Sequence, residues 1–281
     1  MAALSSQTLL ATPLLHIRDV QCSACRGRHV GAAECDAVSH IVIPYRGSFV
    51  RRVGSRVAHA DVNQALFFNA AEEYRIDHLG EGGDACLSLD LSEGGMNELA
   101  RSTIATTSRG VSFREMQRRI DPAMQLQAAR LRYVRAQTLG AEELALCLIR
   151  RLLGADGLTQ RVTAAGHRLI HRAKRVLHAS PGHRWSLAEI AHEVGASPVY
   201  LTQAFSKVEG MPLYRYQTQL RLALALNELS NASDLAAMAL DLGFTSHSQF
   251  ATAFKRAYGI QPSACRRELL KNRKARPATA N

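Results

Sequence analysis

The apolar positions in the last third of the chain recur at helical spacing, in two copies of one pattern. Residues 187–195 match residues 235–243 at an offset of 48, and Phe205 and Gly210 each have a counterpart of the same type 49 positions later. A pattern that occurs twice at a nearly fixed offset indicates a duplicated supersecondary unit.

The first copy predicts a helix, a short turn and a second helix. Ser186 with Glu189 three residues later is typical of a capping box, and Gly195 supplies the positive φ at which many helices end. Ser197 followed by proline predicts the start of the second helix. Two helices joined by a turn of about three to four residues with glycine form a helix-turn-helix unit. For one copy alone, a helical hairpin without a DNA role is the alternative.

The second copy predicts the same order of elements. Ser233 is expected to cap its first helix, Gly243 to form the turn, and a second helix to begin at about Ser246. Between the copies, the apolar spacing of residues 213–229 predicts one helix of about 26 Å. We expect this arrangement to bring the second helix of each copy to successive major-groove turns, about 34 Å apart on one face of DNA.

Positive charge is concentrated in the same part of the chain. Residues 166–281 contain 16 Lys and Arg against 7 Asp and Glu, whereas residues 1–165 are nearly neutral. A basic part beside a neutral part indicates that only the former meets a polyanion. Because the basic residues do not line one long amphipathic helix, nucleic acid is favoured over a membrane surface. With no apolar run of about 18 residues and no basic region at the N-terminus, we expect a cytoplasmic protein without membrane binding.

The earlier part of the chain predicts a different architecture. Short β-rich runs separated by turn residues at residues 40–44, 47–51, 65–68, 74–76 and 86–90 predict a small barrel or sandwich, and residues 121–154 predict two helices. The expected fold class is α+β. Its divisions are a β-rich domain at 1–112, a helical segment at 113–165, an all-α domain at 166–270 and a disordered basic tail at 271–281.

Six cysteines occur in the chain, and without an export signal we expect them to be thiols. Cys22 and Cys25 form a Cys-x-x-Cys pair, with His29 and Cys35 close by in sequence. Thiolates and imidazoles at such spacings would suit zinc or another soft metal ion, or a redox switch. A strong zinc pattern has two close pairs and this segment has one, so unliganded cysteines are the other interpretation. No further catalytic constellation is present, and we expect no enzyme.

The run of residues 239–266, ALDLGFTSHSQFATAFKRAYGIQPSACR, resembles the signature of the AraC/XylS family of bacterial transcription regulators in its glycines, phenylalanines and Gly-x-x-Pro step. The resemblance covers about residues 166–270. Cys265 stands where the family usually has an aromatic residue, so we expect weaker local packing there. The resemblance implies a seven-helix domain with two helix-turn-helix units joined by a long helix. It also implies control of transcription, often activation, through contact with RNA polymerase.

The resemblance also assigns roles to individual residues. In the second helix of the first unit the outward positions are Val199, Thr202, Gln203 and Ser206, of which the first three match base-reading positions of the family. Gln203 would pair with the N6 and N7 edge of adenine, and Val199 would contact a thymine methyl group. The corresponding set in the second unit is His247, Ser248, Gln249 and Thr252. This set is short and contains no arginine, so we expect weak base reading and more contact with the DNA backbone.

The candidate phosphate contacts are basic residues of the two units and of the last helix, and a solvated surface charge is the alternative for each. They are Lys207, Arg215, Lys255, Arg256, Arg266 and Arg267.

For the rest of the chain the resemblance implies a cupin-like barrel that senses a small-molecule effector, and middle helices that form a homodimer interface. Packing of those helices within one chain is weighed equally. The leading hypothesis is therefore an effector-responsive, sequence-specific regulator, expected to activate transcription. The alternatives are an enzyme docked on DNA, such as a repair protein with a methyl-accepting cysteine, a thiol- or metal-based sensor, and a nonspecific DNA binder.

Overall fold

The computed structural model describes residues 4–22, 32–78, 83–99, 104–107, 110–133, 139–154 and 164–274. The chain forms two compact units. One, which we call the sheet unit, contains residues 1–155 together with 263–281, and the other, the helical unit, contains residues 156–262. This arrangement confirms the mixed class, with sheets in the N-terminal part and helices in the C-terminal part. The finer domain boundaries at residues 112, 165 and 270 stay predictions.

The sheet unit is built from antiparallel strands. Their bounds are β1 Leu4–Ala11, β2 Leu15–Cys22, β3 His40–Arg46, β4 Phe49–Val53, β5 Arg56–Ala60, β6 Gln64–Phe68, β7 Arg75–His78, β8 Asp84–Leu91, β9 Ile104–Thr107, β10 Gly110–Phe113 and β11 Gln117–Arg119. A six-stranded sheet has the order β1-β2-β8-β3-β6-β11, a second has the order β5-β4-β7, and β9 pairs with β10. The five runs predicted as strands became β3, β4, β6, β7 and β8. Among the described residues the pairings do not close into a ring, so the cupin-like barrel is not confirmed.

Burial explains why β8 lies in the middle of the large sheet. Every residue of β8 is buried, because β2 and β3 pair with it on both sides and a core lies against each face. Leu87 and Leu89 belong to one core, and Cys86 belongs to the other. The polar residues of the strand are satisfied within the sheet: Asp90 accepts hydrogen bonds from Arg18 at 2.7 and 3.0 Å and from Ser88 at 2.6 Å.

The middle helices of the chain pack on the same core. Helices α1 Glu93–Leu99, α2 Pro122–Tyr133 and α3 Leu139–Gly154 follow β8 in the sequence, with β9–β11 lying between α1 and α2. Met124 of α2 and Leu148 of α3 share the buried cluster that includes Leu89. The two helices thus have an intramolecular packing role, and a homodimer interface formed by them stays a prediction.

The helical unit contains α4 Ala164–Ala179, α5 Leu187–Glu193, α6 Pro198–Glu209, α7 Leu213–Glu228, α8 Leu235–Asp241 and α9 His247–Tyr258, and α10 Pro262–Lys274 begins at its last residue. Within residues 164–274 these helices match the seven that the resemblance implied. The single long helix predicted over residues 213–229 is α7. The fully buried side chains of Phe205 and Tyr216 meet edge to face, with ring centroids 5.3 Å apart, and Phe250 contacts both Phe244 and Phe254.

The predicted cap of the second unit was wrong by one residue. Asp234, and not Ser233, is the N-cap of α8, and its carboxylate accepts a hydrogen bond from the backbone N–H of Ala236 at 2.7 Å. The capping side chain must belong to the extended residue directly before the first helical turn, and that residue is Asp234 because the helix begins at Leu235.

Helix α10 carries Cys265 into a buried position within the sheet unit. Burial raises the pKa of this thiol to about 11, so it is a neutral packing group at physiological pH. In the same helix Glu268 accepts two hydrogen bonds from the guanidinium of Arg130, at 2.7 and 3.2 Å. The predicted disordered tail is wrong for residues 271–274, because α10 continues through them, and the part of the tail beyond residue 274 lies outside the described residues.

Candidate nucleic-acid interface

The second helix of each helix-turn-helix unit, which we call a recognition helix, is fixed at both ends by the same devices. In α6 the hydroxyl of Ser197 accepts a hydrogen bond from the backbone of Tyr200 at 3.2 Å, and Gly210 ends the helix with φ 63°. In α9 the hydroxyl of Ser246 does the same for the backbone of Gln249 at 3.1 Å, and Gly259 has φ 73°. The duplication seen in the sequence is therefore also a duplication of local geometry.

Each recognition helix has one buried and one open face. Leu201 and Phe205 of α6, like Phe250 and Phe254 of α9, have no exposed surface, whereas Val199 is 68% exposed. Every predicted base-reading residue lies on the open faces. Gln203, His247, Ser248, Gln249 and Thr252 are exposed with Val199, and Thr202 and Ser206 are partly exposed. Contact of these residues with bases stays a prediction.

Two of the predicted base-reading side chains already have partners nearby in the chain, Thr202 within its own helix and Gln249 in the turn before α9. The Thr202 hydroxyl donates to the backbone carbonyl of Pro198 at 2.8 Å. The side-chain carbonyl of Gln249 accepts from the backbone N–H of Thr245 at 2.8 Å and from the Thr245 hydroxyl at 2.9 Å. Because a backbone N–H only donates, the atom that faces it must be the amide oxygen. Gln249 therefore presents its amide hydrogens, and no longer its oxygen, to a ligand.

The candidate phosphate-binding cations are at the surface. Lys207, Arg215, Lys255 and Arg256 of the helical unit are exposed, Arg267 of α10 is exposed, and Arg266 is partly exposed. Lys207, Lys255 and Arg256 lie in the last turns of the two recognition helices. Cations there interact favourably with the negative end of the helix dipole and are also placed to bind an external phosphate.

A buried ion pair anchors the first recognition helix, and sequence reasoning missed it. The ammonium group of Lys174 in α4 lies 3.2 Å from the carboxylate of Glu209 in the last turn of α6, and each side chain is only 8% exposed. Beside it, His178 and the hydroxyl of Tyr216 are 2.9 Å apart. Removing one member of such a pair leaves a buried charge without compensation, so the ion pair fixes α6 against α4.

A second set of contacts that was missed joins the two helix-turn-helix units. The guanidinium of Arg221 in α7 donates to the carbonyls of Pro181 at 3.0 Å, His183 at 2.7 Å and Gly243 at 3.2 Å. Arg184 donates to the carbonyl of Phe244 at 3.0 Å. The only local signal in the sequence is an arginine in the middle of a helix with leucine on either side of it.

The candidate metal segment is only partly described. Cys22 is buried at the end of β2 and Cys35 is exposed, while Cys25 and His29 lie outside the described residues. Among the residues that the structure describes, no group of three or more His, Cys, Asp or Glu side chains is arranged to hold a metal ion. Metal binding therefore stays a prediction. In the same described part of the chain, no helix is long and apolar enough to cross a bilayer.

The helical part of the chain is similar to known helix-turn-helix proteins. Residues 190–268 match the family described as "Helix-turn-helix domain". A putative AraC-like transcription regulator of Streptomyces antibioticus is 30% identical over 139 residues, which are 47% of this chain and 46% of that protein. The helix-turn-helix-type transcriptional regulator YidL of Escherichia coli K12 is 33% identical over 115 residues, 41% of this chain and 37% of that protein. The chain thus matches less than half the length of each relative.

Among solved structures, an AraC-type transcriptional regulator from Chromobacterium violaceum shares 25% identity over 38% of this chain and 96% of that chain, with a TM-score of 0.36. Both of the named relatives are described as transcription regulators.

Proposed function

We propose that the protein is a cytoplasmic transcription regulator of the AraC type that binds double-stranded DNA at specific sequences. The proposal is supported by the helix-turn-helix match over residues 190–268 and by the likeness to an AraC-like regulator. One observation carries the proposal: two recognition helices of matching construction, each with an open polar face, lie in one unit. Both belong to the C-terminal part of the chain, residues 166–281, which contains 16 Lys and Arg against 7 Asp and Glu. A nonspecific binder would need only the charge.

The two recognition helices divide the work of binding unequally in this proposal. Gln203 and Val199 of α6 read base edges, through an adenine amide contact and a thymine methyl contact respectively. The short side chains of α9 contribute mainly to docking on the backbone, and cations such as Lys255 bind phosphates.

The sheet unit is proposed to sense a small-molecule effector, with a cupin-like barrel as the sensing fold. Its support is a core of its own, separate from the helical unit, together with the resemblance to AraC/XylS regulators. The same resemblance supports activation through RNA polymerase and a homodimer as the active form. Sedimentation of the purified chain, with and without operator DNA, tests the homodimer.

The central experiment is selection of binding sites from random duplex DNA, followed by titrations over a salt series. Gln203→Ala should cost about 1–3 kcal/mol on the selected DNA and relax one base position. Lys255→Ala should weaken selected and random DNA alike and reduce the salt slope by about one. Arg150→Ala, which removes an exposed cation of the sheet unit, is the control and should alter neither quantity.

Two outcomes would contradict the proposal at different levels. A selected-to-random affinity ratio near one for the wild-type chain would favour a nonspecific binder. Equal losses on selected and random DNA for Gln203→Ala would remove its base-reading role and leave the regulator intact.

A metal ion or redox switch at Cys22 and Cys25 is a separate proposal, with a simple test. Metal content is measured in protein purified under reducing conditions, for the wild type and for Cys22→Ser. Equal metal content in the two would remove the metal site.

A further inference from the structure

We propose that Arg221 is a positioning residue that sets the distance and orientation between the two recognition helices. It does so by holding the loop that precedes the first helix-turn-helix unit against the turn of the second. The inference rests on the proposed function, and it adds a residue to which neither the family match nor the predicted contact set assigns a role.

The geometry of the guanidinium is the first observation. Its Nε, Nη1 and Nη2 atoms each donate to a different backbone carbonyl, at 3.0, 3.2 and 2.7 Å. Two of the carbonyls belong to the loop at Pro181 and His183, and the third belongs to Gly243 in the turn between α8 and α9. One side chain on the connecting helix α7 therefore binds both segments at once.

The close approach of the two backbones is the second observation. A Cβ atom added to Gly182 would lie 2.0 Å from the carbonyl oxygen of Asp241, and one added to Gly243 would lie 2.4 Å from the carbonyl oxygen of Gly182. Only glycines allow the loop and the turn to touch in this way. Arg184 adds its own hydrogen bond from the loop to the carbonyl of Phe244.

Each of the two segments is continuous with one recognition unit. The loop closes on itself through a hydrogen bond from the indole of Trp185 to the carbonyl of Ser180 at 3.2 Å, and it leads directly into the capping box of Ser186 and Glu189. The turn at Gly243 leads into the cap of α9 at Ser246. Fixing the loop to the turn therefore fixes α5–α6 relative to α8–α9.

The chemistry of the contact requires an arginine. Burial lowers the pKa of Arg221, and repulsion by the nearby cation Arg184 lowers it further. The carbonyl dipoles offset the free-energy cost of holding these two cations close together. A guanidinium presents its donors in a planar, rigid fork, whereas an ammonium group is a compact charge on a flexible stem. Lysine at this position would keep the charge but would not hold three carbonyls in their present arrangement.

The experiment uses DNA selected by the wild-type chain, in which two recognised segments lie one helical turn apart. The duplexes carry the selected spacing, a spacing changed by one or two base pairs, or the first segment alone; each added pair moves the second segment by about 3.4 Å and about 35°. The wild type should bind the selected spacing far better than the altered ones. A linked second site multiplies affinity by about 10²–10⁴. In Arg221→Lys and Arg221→Gln, the ratio of the affinity for the selected two-segment duplex to that for the single segment should fall by at least about tenfold. They should bind the single segment like the wild type.

The controls separate positioning from folding. Thr218→Ala removes a hydroxyl of the same helix that bonds to the carbonyl of Tyr214 in its own helix, at 3.0 Å, and should keep the spacing preference. Where Arg221 variants fail to fold, as judged by circular dichroism, Arg184→Gln removes one bond of the same contact and should weaken the spacing preference in part.

The results distinguish this inference from the proposed function. If Arg221→Lys and Arg184→Gln both keep the wild-type spacing preference, the inference is overturned and the proposed function stands. Equal losses on one-segment and two-segment DNA also overturn it, because they indicate a general folding role. A wild-type chain that selects no sequence overturns the proposed function itself.

Discussion

Replacing glycine by alanine in the turn of each helix-turn-helix unit should have unequal costs, although the two glycines occupy the same place in the duplicated pattern. Gly195 has φ 63°, and an added Cβ would meet no heavy atom of the described residues within 4 Å beyond its chain neighbours. Gly243 has φ 80°, and its added Cβ would lie 2.4 Å from the carbonyl oxygen of Gly182 and 3.0 Å from the guanidinium carbon of Arg221.

The magnitudes follow from these two environments. A side chain in the left-handed region costs about 1–2 kcal/mol, and the lower entropy of the unfolded alanine variant returns about 0.4–1 kcal/mol. Gly195→Ala should therefore destabilise by at most about 1.6 kcal/mol. Gly243→Ala bears the same cost and in addition an overpacking cost of about 1–3 kcal/mol, because a rigid carbonyl must move. The difference between the two variants should be about 1–3 kcal/mol.

Urea unfolding followed by circular dichroism measures both variants against the wild type. In a double-mutant cycle, Gly243→Ala combined with Arg221→Ala should be less destabilised than the sum of the two single variants, because part of the penalty of Gly243→Ala is the displacement of that guanidinium. Equal destabilisation by Gly195→Ala and Gly243→Ala would refute the close contact between loop and turn, and with it the basis of the positioning role of Arg221.

Three further predictions address the caps, a base contact and a histidine. Asp234→Ala should lower the free energy of unfolding by about 1 kcal/mol, while Ser233→Ala should leave it nearly unchanged. The opposite ranking of the two variants would identify Ser233 as the cap. Gln249 presents its amide hydrogens and should therefore favour guanine or thymine, whose edges carry acceptors, over adenine. Site selection with Gln249→Glu should lose that preference. A variant that instead loses a preference for adenine would contradict the assignment. The hydrogen bond from His78 to Asp84 raises the pKa of the histidine, so its stabilisation is present in full below about pH 6.5 and lost as pH rises through the raised value. Unfolding from pH 5 to 8 should show a gap between the wild type and Asp84→Asn that narrows at high pH, and a constant gap would argue against the pair.

The helical unit was largely predictable because its signals are local. Ser197 and the following proline mark the start of α6, Gly210 marks its end, and both features depend on neighbouring residues alone. The repeat then supplied the second unit, with an error of one residue at Asp234, because serine and aspartate are both strong capping residues.

The sheet unit was less predictable, for reasons that its burial explains. No strand was predicted in residues 4–22, where β1 and β2 lie, although β2 alternates buried Leu15 and Ile17 with half-buried polar residues. In β8 the polar residues Ser88 and Asp90 are buried because they bond to partners within the sheet. The order of the strands depends on pairings between distant segments, and no local pattern encodes them.

The interface residues divide in the same way. The open faces of α6 and α9 follow from helical periodicity, and all eight predicted base-reading positions lie on them. The contacts of Arg221 depend on loop and turn segments 22 to 40 residues away from it, and the bond from Thr245 to Gln249 depends on a rotamer. Neither follows from residue type and spacing.

The anchoring of α6 has a practical consequence for retargeting the protein to new DNA sequences. The helix is held by Ser197 at its start, by Phe205 at its centre and by Glu209 at its end, and none of these side chains belongs to the open face. A library varied at Val199 and Gln203 should therefore consist mostly of folded proteins, in which binding preference changes while the scaffold stays the same.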